Sequence, residues 1–237
     1  MKKLCPKCEE LLKASDRDPA MGHCTACGWT GHLGLSLKEP LPPTPTPKMP
    51  YVSIDIETSG LDPDTCQVLE VGAVADDRVT PINQLPQFRR ILRYERVAGS
   101  PFALALNAGL LKLIANPLTP CAFCQPEELG GLLAEWVRLC GQDPMDLQAA
   151  GKNFASFDAQ FLKRLPRFSD HVRFRHRTLD PAILFWKPAE DDKLPDSKTC
   201  YERAGFDNKV AHTALEDALA VVRLVRLGIK RLEGMAR

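Results

Sequence analysis

The chain has 237 residues, 44% of them apolar and 26% charged, and 31 Lys and Arg against 30 Asp and Glu leave a formal charge of +1. That composition describes a folded protein of one or two domains and excludes a uniformly basic nucleic-acid coat, an acidic solvating tail and a disordered chain. No apolar run reaches the roughly 18 residues of a membrane span. Polar Cys5-Pro6-Lys7-Cys8 also stands where a signal peptide would be apolar, so the expectation is a cytoplasmic protein with no membrane partner.

Two cysteine pairs open the chain: Cys5-x2-Cys8, then fifteen residues, then Cys24-x2-Cys27. A piece this small cannot bury enough apolar surface to fold unaided and needs a staple. Two Cys-x2-Cys turns can close one tetrahedral thiolate site, and the segment resembles a zinc ribbon holding one structural Zn²⁺. His23 and His32 are substitute ligands, and four reduced thiols or a redox pair are the alternative. Cys66, Cys121, Cys124, Cys140 and Cys200 read as ordinary residues. Proline then dominates Lys38–Pro50, a semi-rigid extended spacer. The expected organisation is a ribbon over 1–37, a linker over 38–50 and a body over 51–237.

In the body, Tyr51–Glu57 alternates apolar and polar residues as a strand does, and Gln67–Ala75 and Phe88–Tyr94 predict two more. Their short connections predict a meander. Pro101–Ala115 and Glu127–Cys140 have helical periodicity. Leu147–Gly151 predicts a strand, Ser156–Leu165 a helix capped by Ser156, and Asp180-Pro181 a capped helix start. The longest helix should begin just after Thr213, which forms a capping box with Glu216. Strands first and alternation later predict an α/β fold, a mixed β-sheet flanked by helices.

Three places carry chemistry. Asp55 and Glu57, two apart on a strand, leave the same face, and two carboxylates side by side near a core call for a cation. Oxygen ligands suit Mg²⁺ or Mn²⁺; alternation toward solvent is the alternative. Asp158 ends the segment Asn153-Phe-Ala-Ser-Phe-Asp158 in the first turn of a helix, where a carboxylate also favours the dipole. His212 and Asp217 occupy the two staple positions around the last helix start and place a titratable base beside a ligand.

Asp55-Ile-Glu57 with Thr58-Ser-Gly-Leu61, Asn153 to Asp158, and His212-x4-Asp217 resemble, in order, the motifs of the DEDDh 3′–5′ exonucleases, the DnaQ-like family of the ribonuclease-H-like fold. His176-Arg-Thr-Leu-Asp180 is similar to a stretch of oligoribonuclease-like members. The resemblance covers nearly all of 51–237 but not the ribbon. It implies a metal-dependent hydrolase that removes nucleoside 5′-monophosphates from the free 3′ end of single-stranded DNA or RNA. Two Mg²⁺ or Mn²⁺ ions would be held by Asp55, Glu57, Asp158 and Asp217, with His212 as the base. Thr58, Leu61 and Asn153 would contact substrate. Apart from the resemblance, Lys163 to Arg177 holds six basic residues against Asp170 alone, and Arg173 and Arg175, alternating with Val172 and Phe174, could track a phosphate backbone; a solvated edge is the alternative. The ribbon could grip nucleic acid or dock a protein partner. The alternative from another class is a catalytically inactive nucleic-acid-binding adaptor that uses the ribbon.

Overall fold

The computed structural model describes residues 13–14, 21–27, 30–32, 49–116, 122–206 and 213–235. The chain divides into two compact units, Met1–Thr46 and Pro47–Arg237. In the first, β1 (Lys13–Ala14), β2 (Met21–His23) and β3 (Thr30–His32) form an antiparallel sheet in that order. Cys24 follows β2 directly and Cys27 ends the turn after it, whereas Cys5 and Cys8 lie outside the described residues.

The second unit is built on β4 (Tyr51–Thr58), β5 (Val68–Asp76) and β6 (Gln87–Leu92), the expected antiparallel meander. β7 (Phe123–Cys124) and β8 (Ala149–Ala150) add to its two edges in parallel, giving the order β7-β6-β5-β4-β8. All nine residues of β5 are buried, as a strand covered on both faces must be.

The two-residue period of β4 divides its side chains between two cores. Val52, Ile54 and Ile56 pack with α3 (Leu129–Leu139), α4 (Asp158–Arg164) and α5 (Phe168–His171) through Leu129, Leu133, Phe161 and Phe168. Tyr51 on the opposite face packs with Ala218, Val221, Val222 and Val225 of α7 (Ala214–Met235). Asp55 and Glu57 share the Tyr51 face, so the long helix and the two carboxylates meet on the same side of the sheet.

Several local expectations need correction. The helix expected over Pro101–Ala115 is two, α1 (Pro101–Leu106) and α2 (Ala108–Ala115), broken at buried Asn107, whose side-chain amide donates to Thr58 O at 3.1 Å. Ser156 does not cap α4: its hydroxyl donates to Asn153 O, and the helix begins at Asp158 without a side-chain cap. The Leu147–Gly151 strand shrinks to Ala149–Ala150, with single parallel bridges from Leu147 to Phe174 and from Ala150 to Leu179. Asp180 does act as a cap, accepting from Ala182 N–H at 2.8 Å, but the element it opens is a 3-10 helix, Pro181–Phe185.

Candidate active site

Close approach of backbone to backbone assembles the site. Gly72 of β5 lies opposite Asp55, and a Cβ there would sit 2.2 Å from Leu215 N and 2.3 Å from the Ala214 carbonyl carbon. Only glycine lets the first turn of α7 rest on the sheet at that level. Ser53 anchors the helix further along, its hydroxyl donating to Ala218 O at 2.8 Å. The start of α7 is held as the sequence predicts: Glu216 N–H donates to Thr213 Oγ1 (3.4 Å), and Thr213 Oγ1 donates to Glu216 Oε2 (2.6 Å). Buried Glu70 adds a second anchor, accepting from Ala214 N–H (3.2 Å) and from Arg89 Nε.

Asp217 is thereby brought to β4. Asp55, Glu57 and Asp217 each offer a carboxylate oxygen, and these atoms lie within 4.8 Å of one another. Asp158, 3% exposed, is beside them, with its Oδ1 accepting from Ile56 N–H at 3.2 Å. His212 lies outside the described residues, immediately before the Thr213 that opens α7.

The turn after β4 forms the neighbouring wall. Thr58 Oγ1 donates to Gly60 O (2.7 Å), and Ser59 Oγ donates to Ala98 O while accepting from Gln67 N–H. A Cβ on Gly99 would lie 2.0 Å from Ser59 O, so two chain segments close there through a glycine. The turn presents Leu61, 83% exposed, and α1 presents Phe102, 80% exposed. Asn153 takes a left-handed backbone, φ 56°, and its N–H donates to Asp180 Oδ2 at 3.0 Å.

Electrostatics set these carboxylates apart from the rest of the chain. Burial first, then the charges of Asp158, Asp217, Glu57 and Glu70, push the Asp55 carboxyl well above the ordinary range. Burial and then Asp217 and Glu70 push Glu57 up to about 7, a hydrogen bond from Asn107 opposing the rise. Burial pushes Asp158 up to about 7 despite backbone hydrogen bonds. The Tyr201 phenol on α6 (Ser197–Ala204), raised to about 12 mainly by burial, also feels Asp217 and Asp55 and stays a hydrogen-bond donor. Four crowded carboxylates, of which Asp55, Glu57 and Asp158 resist ionisation, are what a divalent cation would relieve, and an all-oxygen donor set fits Mg²⁺ or Mn²⁺.

This crowding has a measurable sign. Between pH about 4 and about 7 the folded, metal-free chain retains protons on Glu57 and Asp158 that the unfolded chain has lost. The folded state therefore binds more protons, and stability falls as pH rises through that window. The Tm in EDTA is expected to be higher at pH 5.5 than at pH 8, by at least about 2–4 °C, the effect of roughly 1 kcal/mol in a chain this size. A Tm that is flat or rises toward pH 8 would contradict the crowding.

Arg173 and Arg175 lie elsewhere. Phe174 bridges Leu147, with Arg175 N–H donating to Leu147 O (2.9 Å) and Leu147 N–H to Arg173 O (3.0 Å), so the stretch extends the sheet beyond β8. Both arginines are exposed, and Phe174 packs inward on Phe154, ring centroids 4.9 Å apart. Arg175 makes a two-pronged ion pair with Asp146, at 3.0 and 2.5 Å. Sequence reasoning missed Glu70, Gly72, Asn107 and Tyr201. Glu70 and Gly72 sit within a uniformly buried strand, and only a lone carboxylate among apolar residues set Glu70 apart.

No family model matches the chain, and no curated protein matches it. Among solved structures, a moderately thermophilic exonuclease I from Methylocaldum szegediense is similar at TM-score 0.54 and 18% identity, over 77% of this chain and 40% of that one. E. coli exonuclease I in complex with a dT13 oligonucleotide is similar at TM-score 0.56 and 13% identity, over 79% of this chain and 42% of that one. The chain thus spans about two fifths of the length of these enzymes. What it shares with them is the fold, a mixed five-stranded sheet flanked by helices and consistent with the ribonuclease-H-like class.

Proposed function

We propose that the chain is a metal-dependent 3′–5′ exonuclease acting on single-stranded nucleic acid. The observation that carries this reading is the convergence of Asp55, Glu57 and Asp217 within 4.8 Å, with buried Asp158 beside them, on a fold shared with exonuclease I. Asp55, Glu57, Asp158 and Asp217 would hold two Mg²⁺ or Mn²⁺ ions. When bound, such ions stabilise charge on the attacking and leaving oxygens of an in-line phosphodiester displacement.

The chain's own residues do the rest. His212, one residue ahead of the α7 cap, takes the proton of the attacking water, and imidazole suits this because its ordinary pKa is about 6.5. Leu61 offers an apolar side chain for the terminal base, supported by its exposure on a turn that Thr58 and Ser59 brace. Tyr201, protonated and close enough to feel Asp217 and Asp55, can donate a hydrogen bond within the site.

The test is digestion of matched 5′-labelled DNA and RNA oligonucleotides with Mg²⁺ or Mn²⁺, and with EDTA. A ladder shrinking from the 3′ end, abolished by EDTA, is the expected result. Binding without digestion, with folding verified, would overturn it in favour of the inactive adaptor.

The first unit supports a separate reading, in which Cys5, Cys8, Cys24 and Cys27 hold one structural Zn²⁺. Its support is the position of Cys24 and Cys27 on the turn after β2 of an antiparallel sheet. Purified protein is then expected to carry one equivalent of zinc, lost in Cys24→Ser; zinc retained in that variant would overturn the assignment. Among the described residues no helix is long and apolar enough to cross a membrane.

A further inference from the structure

The basic stretch near the sheet edge separates into two groups that the sequence does not distinguish. Arg164 pairs with Asp64 at 2.6 Å, Arg167 with Asp170 at 3.6 Å and Arg175 with Asp146 at 2.5 Å. Lys163, Arg173 and Arg177 form no ion pair among the described residues. Lys163 and Arg173 line one cavity of about 640 Å³, together with Ser169, His176, Met145 and Phe174. Among the described residues no carboxylate lines it. A cavity with two cations that form no ion pair, although Asp146 also feels Arg173, with hydroxyl and imidazole groups and an apolar floor, attracts anions that carry flat apolar parts.

The position of this cavity identifies which anion. Its wall also includes Phe154, Ala155 and Ala159, which flank Asp158 at the start of α4. From there it runs back along the sheet edge, over Val172 and Phe174, which pack on the face that carries Val52, Ile54 and Ile56. Val52 of β4 pairs with Ala149, and Leu147 bridges Phe174, so Arg173 is set back from Asp55 along the strand direction. The offset is about six residues, or on the order of 20 Å at roughly 3.3 Å per residue. A terminal nucleotide at the carboxylates would not reach Arg173, whereas a longer strand would.

We propose that this cavity holds the phosphates of single-stranded nucleic acid on the 5′ side of the nucleotide being removed, through Lys163 and Arg173. The inference rests on the exonuclease reading of the neighbouring carboxylates. It gives the acidic site what it lacks, a cationic surface that keeps a polyanion in place between successive cleavages.

The test is binding of 5′-fluorescein-dT16 to the full chain in EDTA, measured by anisotropy from 50 to 200 mM salt. Lys163→Ala with Arg173→Ala is expected to weaken binding about tenfold at low salt. The slope of log K against log salt should fall by about 1.4, or about 0.7 for each of two phosphates released. Arg164→Ala, which removes a cation already neutralised by Asp64, should leave the slope unchanged. In turnover, the double variant should lower kcat/KM for the 16-mer about tenfold relative to a trimer.

An unchanged slope in the double variant would overturn the proposal. So would an equal loss of slope in Arg164→Ala, which would make the effect one of net charge. Digestion by the wild type with no slope change would sink this cavity alone. The expected slope change in a protein that digests nothing would sink the exonuclease reading and leave the cavity as a binding site.

Discussion

Asp55→Asn is expected to lower kcat by at least about 10²–10³-fold, the scale on which loss of one charge-stabilising group acts in other active sites. The same substitution should raise the Tm of the metal-free protein. Asp55 is surrounded by Asp158, Asp217, Glu57 and Glu70, and burial already disfavours its charged form. At pH 8, above the range in which Glu57 and Asp158 keep their protons, removing the charge relieves repulsion that bound metal would otherwise relieve. A gain of about 2–4 °C would correspond to roughly 1 kcal/mol.

Mg²⁺ or Mn²⁺ should stabilise the wild type at pH 8 more than the variant, because a ligand that binds only the folded state adds stability that grows with the logarithm of its affinity. The two readouts answer different questions. Unchanged kcat would remove Asp55 from the chemistry, while a lower Tm in EDTA would show that the cluster is not under repulsive strain. A variant that is more stable yet inactive cannot be explained as a folding defect.

Gly72→Ala is the second large effect, and it acts without touching a carboxylate. The new methyl would sit 2.2–2.5 Å from Leu215 N and from the carbonyl carbon and oxygen of Ala214, all backbone atoms. Ala214, Ala218, Val222 and Val225 are buried along the same helix, so α7 cannot tilt away without unpacking its whole face. Overpacking of this kind costs about 1–3 kcal/mol, several degrees of Tm. The larger consequence is for Asp217, three residues beyond Ala214, because displacing a reacting group by about 1 Å can cost about 10²-fold in rate. Gly109→Ala is the matched comparison, since a Cβ there meets nothing within 4 Å and a helical Gly→Ala change is favourable by about 1 kcal/mol. Full activity in Gly72→Ala would mean that the seat of α7 on β5 does not position Asp217.

Much of this architecture can be read from short stretches of sequence. The alternation in Tyr51–Glu57 places Asp55 and Glu57 on one face before any fold is known, because a strand repeats every two residues. The capping box at Thr213 and Glu216 and the cap at Asp180 are equally local, each settled by groups two or three residues apart. These readings depend on backbone periodicity and on orphan N–H groups, which neighbours in sequence satisfy. The failed cap at Ser156 marks the edge of that logic: its hydroxyl had a carbonyl acceptor, Asn153 O, three residues back.

The remaining features are long-range, and the tertiary structure decided them. Asn107 breaks a continuous helical pattern because Thr58, 49 residues away, offers its carbonyl. Glu70 anchors a helix start 144 residues later, and Ser53 reaches Ala218 across 165. The six cations from Lys163 to Arg177 read as one patch in the sequence, yet Asp64 lies 100 residues from Arg164 and Asp146 lies 29 from Arg175. Which charges are neutralised depends on which carboxylates the fold brings near, and local pattern carries no record of that. By itself the sequence determined that Asp55 and Glu57 share one face of a strand, where the helix that bears Asp217 starts, and the order of the strands that begin the sheet. Only packing decided that Asp55, Glu57 and Asp217 meet within 4.8 Å, because their meeting requires a glycine on β5 where a helix comes to rest.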